Sequence, residues 1–171
     1  MKRLINKKYL PVCVIVIILS MLFSGCKIQS KKDYYDKKLD LTDKDTVSIT
    51  IRCDTILDNM DKLDKSLKDI IPKDGIILEK TQVAVEADET VLDILQKVAK
   101  QKELVINTSG SKAITYIIGI NGIKEFNCGE LSGWNFKVNG EKLGVSCGAA
   151  KITKGDEIEI LYTCDLGNDL D

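Results

Sequence analysis

The chain has 171 residues, which is the length of one domain with a short extension. It contains 25 Lys and Arg residues and 26 Asp and Glu residues. We expect no nucleic-acid partner, because the chain lacks the excess of positive charge with which proteins neutralise phosphates. The sequence contains no histidine, which excludes Ser-His-Asp and Cys-His catalysis together with His-ligated metal sites.

The first 26 residues have the pattern of an export signal. Basic residues at the N-terminus are followed by an apolar segment over 10–23. This segment is shorter than a membrane span, which needs about 20 residues. The segment ends in Phe23-Ser24-Gly25-Cys26, which is similar to the bacterial lipobox, with Phe23 where Leu is usual. In that motif a signal peptidase cuts before the cysteine, and the cysteine carries the lipid. We expect a lipoprotein signal peptide over 1–25 and a lipid on Cys26; an uncleaved N-terminal anchor is the alternative.

Both alternatives place the rest of the chain at the extracytoplasmic face of the cell membrane, with the lipid bilayer as a partner. A diacylated Cys26 would supply the second acyl chain that stable anchoring requires. Residues 26–45 mix Lys and Asp with few aliphatic side chains, so they cannot bury enough apolar area to offset their ordering entropy. We predict a solvated, flexible tether over this range.

Strands and helices alternate in the first half of the folded part. Residues 46–53 alternate apolar and polar side chains, which is typical of a half-buried strand. Apolar residues then recur at helical spacing over 56–70, which predicts a first helix. A second strand is predicted over 76–86. A second helix is predicted over 90–102, where Thr90 and Asp93 have the spacing of a capping box.

A run of short strands follows and predicts an α+β domain with a mixed sheet. Strands are predicted over 104–107, 114–120 and 123–126, and the Asn121-Gly122 pair is a hairpin signal. Trp134, Phe136 and Val138 alternate on one face before a second hairpin signal, Asn139-Gly140, and the last strand follows residues 154–156.

Four cysteines lie in the folded part: Cys53, Cys128, Cys147 and Cys164. In an exported domain such a set predicts two disulfides, and zinc is the disfavoured alternative because no pair has the C-x₂₋₄-C spacing. Cys53 and Cys164 end the first and last strands on their apolar faces, so they can be bridged if those strands are adjacent and parallel. Cys128 and Cys147 flank the hairpin of Trp134. We therefore predict the pairs Cys53–Cys164 and Cys128–Cys147.

The segment 128–140, CGELSGWNFKVNG, resembles the SGW-x-(aromatic)-x-VNG core of a bacterial family called DUF4430, or transcobalamin-like C-terminal domain. Residues 154–167, KGDEIEILYTCDLG, are similar to the closing strand of that family, and the likeness covers 46–167, leaving 168–171 as a C-terminal tail. The resemblance implies a β-grasp-like fold with two helices, in which the first and last strands are parallel and adjacent. In animal cobalamin carriers a related domain closes over one face of the corrinoid.

Four side chains are candidates for ligand binding: Trp134, Phe136, Asn139 and Tyr162. An exposed indole at Trp134, the only tryptophan, could stack on a flat ligand, because aromatic residues are enriched at binding hot spots. The alternative is that Trp134 covers a small core beside Phe136. For Tyr162 a place in the core is favoured, because it shares a strand face with Ile158 and Ile160.

No residue pattern predicts an enzyme. The acidic pairs Glu125/Glu130 and Asp156/Glu157 have no spacing that places them across a cleft, and no phosphate-binding loop or calcium loop occurs. We expect a non-enzymatic binding module without a resident cofactor or metal, whose ligand is a corrinoid such as cobalamin, another flat small molecule, or a partner protein. The alternative is a structural or adhesive cell-surface protein with no small-molecule ligand.

Overall fold

The computed structural model describes residues 44–170. The predicted signal peptide over 1–25, the lipid site at Cys26 and nearly all of the predicted tether over 26–45 lie outside these residues. Between residues 44 and 170, no helix has the length and apolar content to cross a bilayer.

A four-stranded mixed sheet forms the centre of the domain. It contains β1 (Thr46–Arg52), β2 (Ile76–Ala84), β6 (Gly133–Val138) and β7 (Glu157–Thr163), in the order β2-β1-β7-β6. β1 is parallel to β7, and the two outer pairs are antiparallel. The first and last strands are therefore parallel neighbours, as predicted, and the α+β class is confirmed.

A second, three-stranded antiparallel sheet contains β3 (Ile106–Ser109), β4 (Tyr116–Ile120) and β5 (Ile123–Lys124). The turn between β4 and β5 has positive φ at Asn121 (47°) and Gly122 (88°). Asn139 (53°) and Gly140 (79°) repeat this conformation after β6. Positive φ at both central residues is what a two-residue hairpin of the primed type requires, so both predicted turns are confirmed.

The second predicted helix is α1 (Val91–Lys102). Its capping box is present: the Thr90 hydroxyl accepts from the backbone N–H of Asp93 at 3.3 Å, and the Asp93 carboxylate accepts from the backbone N–H of Thr90 at 2.8 Å. The apolar residues of its inner face are buried: Val91, Ile94, Leu95, Val98 and Ala99. All of them except Ala99 belong to the main hydrophobic core, together with the inward side chains of β1 and β7.

The first predicted helix is formed only as two 3₁₀ helices, Asp54–Asn59 and Lys65–Leu67. Short polar side chains in this segment bond to nearby backbone groups and compete with the α-helical pattern. The Asn59 amide donates to the Thr55 carbonyl at 2.9 Å, and the Asp64 carboxylate accepts from the backbone N–H of Ser66 at 3.0 Å. The segment still buries Ile56 and Leu63, but Ile70 is exposed.

A second hydrophobic cluster lies at the end of the sheet where β1 and β7 finish. Its buried members are Cys53, Ile56, Leu63, Ile123, Cys128, Tyr162 and Cys164. Trp134 packs against both this cluster and the main core. The 3₁₀ segment is therefore the cover of the second cluster, as α1 is the cover of the first.

The structure supports neither predicted disulfide, because all four cysteines in its described part are buried free thiols. Cys147 belongs to the main core, whereas Cys128 belongs to the second cluster. In the parallel register Arg52 faces Leu161, which places Cys53 level with Tyr162 and two residues before Cys164. Since a strand advances about 3.3 Å per residue, Cys53 and Cys164 are out of step by roughly 7 Å along the strands.

Candidate functional site

Trp134 and Tyr162 form a cross-strand aromatic pair between β6 and β7. Their ring centroids are 5.2 Å apart with an interplanar angle of 78°, the edge-to-face arrangement that aromatic pairs prefer. The indole N–H of Trp134 donates to the Ile123 carbonyl at 2.9 Å, and the residue is half-buried. Its ring and its N–H therefore both make internal contacts.

The Tyr162 phenol is the centre of a buried hydrogen-bond network. It donates to the Lys124 carbonyl at 2.8 Å and lies 2.9 Å from the Ser132 hydroxyl. Burial raises the pKa of Tyr162 to about 12, so the phenol stays neutral. With 1% of its surface exposed, Tyr162 cannot contact a ligand. The structure therefore fits the core position that the sequence favours for Tyr162.

Phe136 and Asn139 also have structural partners. Phe136 is buried opposite Ile160 in the main core. The Asn139 amide donates to the Asp156 carboxylate at 2.9 Å, and its carbonyl oxygen accepts from the backbone N–H of Glu157 at 2.9 Å, which fixes the hairpin. The four predicted ligand residues thus share two neighbouring strands and their turn, but they do not form one solvent-facing site.

The exposed apolar surface of this end of the sheet consists instead of Phe126, Leu131 and Leu166, here called the apical patch. Their side chains are 64%, 47% and 67% exposed. The Phe126 N–H donates to the Ser132 carbonyl, and the Leu166 N–H donates to the Leu131 carbonyl, each at 3.0 Å. Three separate chain segments are therefore bonded side by side, and each presents one large apolar residue.

Two members of the apical patch have an uncommon backbone. φ is 66° at Phe126 and 50° at Leu166, in the left-handed region that bulky side chains rarely adopt. Such a conformation costs about 1–3 kcal/mol and persists only where surrounding bonds hold it. Residues of this kind are concentrated at ligand clamps and other functional sites. The apical patch is therefore a stronger candidate site than the Trp134–Tyr162 pair, whose rings make internal contacts.

The C-terminal residues supply the bonds that hold Leu166. The Thr163 hydroxyl accepts from the backbone N–H groups of Asp165 at 3.0 Å and Gly167 at 2.6 Å. The Asp169 carboxylate accepts from the Cys164 N–H at 2.7 Å. The stretch predicted as a tail over 168–171 is therefore bonded to the sheet over its described residues.

No pattern in the sequence predicts the apical patch. Phe126 was predicted as the end of a strand and Leu166 as part of the closing segment, and neither position has a side chain of unusual chemistry. A leucine between Asp165 and Gly167, both typical turn residues, is the one available signal.

A second group of exposed apolar residues lies elsewhere and consists of Ile114, Tyr116 and Val145. Near this group the Ser146 hydroxyl donates to the Ala113 carbonyl at 2.5 Å.

No group of three or more Cys, Asp or Glu side chains within residues 44–170 is arranged to hold a metal ion. Four of the five ion pairs described there, such as Lys80 with Glu157 at 2.7 Å, join exposed side chains, and Lys97 pairs with the partly buried Glu89 at 2.6 Å. Charge therefore singles out no site in this part of the molecule.

Fold and surface together define a small α+β domain with a parallel pair of terminal strands and an exposed apolar end. Residues 88–163 match the model of DUF4430, a domain of unknown function. This match confirms the predicted resemblance over these residues. A comparison with curated proteins gives no match.

Solved structures extend the comparison to the fold. The structure of haptocorrin in complex with Cbi matches with a TM-score of 0.50 at 17% identity, covering 69% of this chain and 24% of haptocorrin. This chain therefore spans about a quarter of that protein's length. A candidate metal-binding protein from Ruminococcus gnavus ATCC 29149 matches with a TM-score of 0.41 at 12% identity, covering 70% of this chain and 97% of that one. At such identities the likeness to haptocorrin concerns the fold.

Proposed function

We propose that this chain is a non-enzymatic binding module, held at the extracytoplasmic face of a bacterial membrane by a lipid on Cys26. The observation that carries the binding role is the apical patch. Three large apolar side chains face solvent there, although an apolar residue in a water-facing turn gains nothing from burial. Two of them are held in strained backbone, at Phe126 and Leu166. A surface that contacts a ligand accounts for both features.

The proposed ligand is a corrinoid, or another flat small molecule with an apolar face. The DUF4430 match and the haptocorrin-like fold support this class, and the apical patch supplies the apolar contact surface. A partner protein that completes the site is the remaining form of this proposal. The second candidate is a structural or adhesive surface protein with no small-molecule ligand. The internal contacts of Trp134 support this candidate, because they argue against a ligand site centred on the indole.

Substitution of the apical patch should separate these functions. We expect the full chain, solubilised in detergent, to bind cobalamin or cobinamide saturably in equilibrium dialysis. Phe126→Ala or Leu166→Ala should then weaken binding by at least about 2 kcal/mol, or roughly thirtyfold, the usual cost of truncating a hot-spot residue. Both replacements keep a Cβ atom, so the strained backbone is unchanged.

Ile114→Ala is the matched control, because Ile114 is 70% exposed but belongs to the other apolar group. Its affinity should equal that of the unsubstituted chain. Absence of saturable corrinoid binding would exclude the corrinoid, and equal loss in the control variant would place the contact surface elsewhere.

Membrane attachment is tested separately. Cys26→Ala should abolish incorporation of radiolabelled fatty acid and move the protein from the membrane to precursor or secreted fractions, because the lipobox-like segment provides no other acyl acceptor. Cys13→Ala, which lies within the apolar segment of the signal, should leave attachment unchanged. Label retained in the Cys26→Ala variant would contradict the lipoprotein assignment.

A further inference from the structure

We propose that Cys128 and Cys164 are the pair of this domain that forms a disulfide, while Cys53 and Cys147 remain thiols. This pairing differs from both pairs expected from the order of the strands. It follows from the register of β6 on β7, from the turn that precedes β6, and from the shared surroundings of the two sulfur atoms.

The register of β6 on β7 shows which residue lies beside Cys164. Gly133 faces Thr163 in this antiparallel pair, so the preceding residue, Ser132, is level with Cys164. The Leu166 N–H donates to the Leu131 carbonyl at 3.0 Å, which continues the contact beyond the strand ends. Any residue folded onto Ser132 therefore lies beside Cys164.

A tight turn folds Cys128 onto Ser132. The backbone N–H of Cys128 donates to the Ser132 hydroxyl at 3.0 Å, and the Ser132 hydroxyl donates to the Gly129 carbonyl at 2.8 Å. The Ser132 N–H also donates to the same carbonyl, at 3.1 Å. Cys128 is thereby returned to the end of β7, although thirty-five residues separate it from Cys164 in the chain.

The two thiols share the same surroundings. Cys128 Sγ lies 3.4 Å from the Asn59 carbonyl oxygen, and Cys164 Sγ lies 3.8 Å from the Thr55 hydroxyl. Thr55 and Asn59 are in turn joined by a 2.9 Å hydrogen bond, so both sulfur atoms lie against one 3₁₀ helix. Each thiol also lies close enough to the other to influence its pKa. The proposed bond requires a change of side-chain rotamer that brings the two sulfur atoms to about 2.05 Å.

Protonation decides when this bond forms. Burial raises the pKa of Cys128 to about 12, and the nearby Cys164 thiol adds to the rise. Burial also raises the pKa of Cys164, although its interactions with Cys128 and Thr55 oppose the rise. Because the thiolate is the species that reacts, oxidation proceeds during folding, before the cluster closes.

The oxidant is a disulfide, such as oxidised glutathione or an extracytoplasmic dithiol oxidase. One S–S bond forms in the domain, the two thiol protons pass to solvent or to the departing thiolates, and two electrons reduce the oxidant to two thiols. The product links the segment that carries Leu131 to the segment that carries Leu166. It therefore fixes two members of the apical patch covalently, whatever ligand they contact.

The test is a peptide map of the chain. We expect the full chain, refolded in a mixture of reduced and oxidised glutathione, alkylated and digested without reduction, to give a linked peptide pair containing Cys128 and Cys164. Cys53 and Cys147 should be recovered in alkylated form. A linked pair that contains Cys53 or Cys147, or alkylation of all four residues in folded protein, would overturn the proposal.

Thermal unfolding with and without reductant gives an independent measurement. Reduction should lower the Tm of the refolded chain, and it should do so equally in Cys53→Ala and Cys147→Ala. Reduction should not change the Tm of Cys128→Ala or Cys164→Ala. A reductant effect that disappears in the Cys53→Ala variant, and persists in Cys128→Ala, would assign the bond to Cys53. If either Cys128→Ala or Cys164→Ala fails to fold, the peptide map of the unsubstituted chain still decides.

Discussion

Replacement of Trp134 by alanine should lower the free energy of unfolding by about 3–5 kcal/mol, the usual cost of truncating a large core aromatic. Trp134 contacts both hydrophobic clusters, packs edge-to-face on Tyr162 and donates its N–H to the Ile123 carbonyl. Denaturant unfolding followed by far-UV circular dichroism measures the change, since the only tryptophan is removed.

Trp134→Phe is the matched control, because it keeps an aromatic ring against Tyr162 and loses the donor to Ile123. This variant should lose less free energy of unfolding than the alanine variant. The expected loss is about 1–3 kcal/mol for the Ile123 carbonyl left without its donor, plus a small loss of packing. If alanine leaves the unfolding midpoint unchanged but abolishes ligand binding, Trp134 is a ligand contact rather than a core residue.

Gly75→Ala is expected to be nearly as disruptive. Gly75 has φ of 70°, and a Cβ atom built there would lie 2.6 Å from the Cβ and 2.7 Å from the backbone nitrogen of Asp54. The Gly75 carbonyl also accepts from the Cys53 N–H at 2.7 Å, so the backbone cannot retreat without losing that bond. Left-handed strain and overpacking each cost about 1–3 kcal/mol.

Gly140→Ala separates the two contributions. Gly140 has a similar φ, 79°, but a Cβ atom there would meet nothing within 4 Å. The control should therefore show the strain of the left-handed backbone alone, and the excess loss in Gly75→Ala should report the clash with Asp54. Equal losses in unfolding free energy for the two variants would mean that the contact with Asp54 relaxes freely.

Local sequence patterns determined the features that depend on neighbouring residues. Alternation of apolar side chains predicted the buried face of β1, and Thr90 with Asp93 predicted the helix start. The two Asn-Gly pairs predicted tight hairpins, because few residues adopt positive φ at low cost. In the segment after β1, apolar spacing was a poorer guide, because Asp and Asn side chains satisfy the backbone locally and break the helix into 3₁₀ turns.

Only the tertiary structure decided which cysteines are neighbours and which apolar residues face solvent. Alternation gives the face of a strand but not its register, and the register of β1 on β7 displaces Cys53 from Cys164. The turn at Ser132 brings in Cys128 instead. The exposure of Leu166 likewise depends on hydrogen bonds to Thr163 and Leu131. These bonds hold Leu166 in the left-handed backbone region, which leucine rarely adopts.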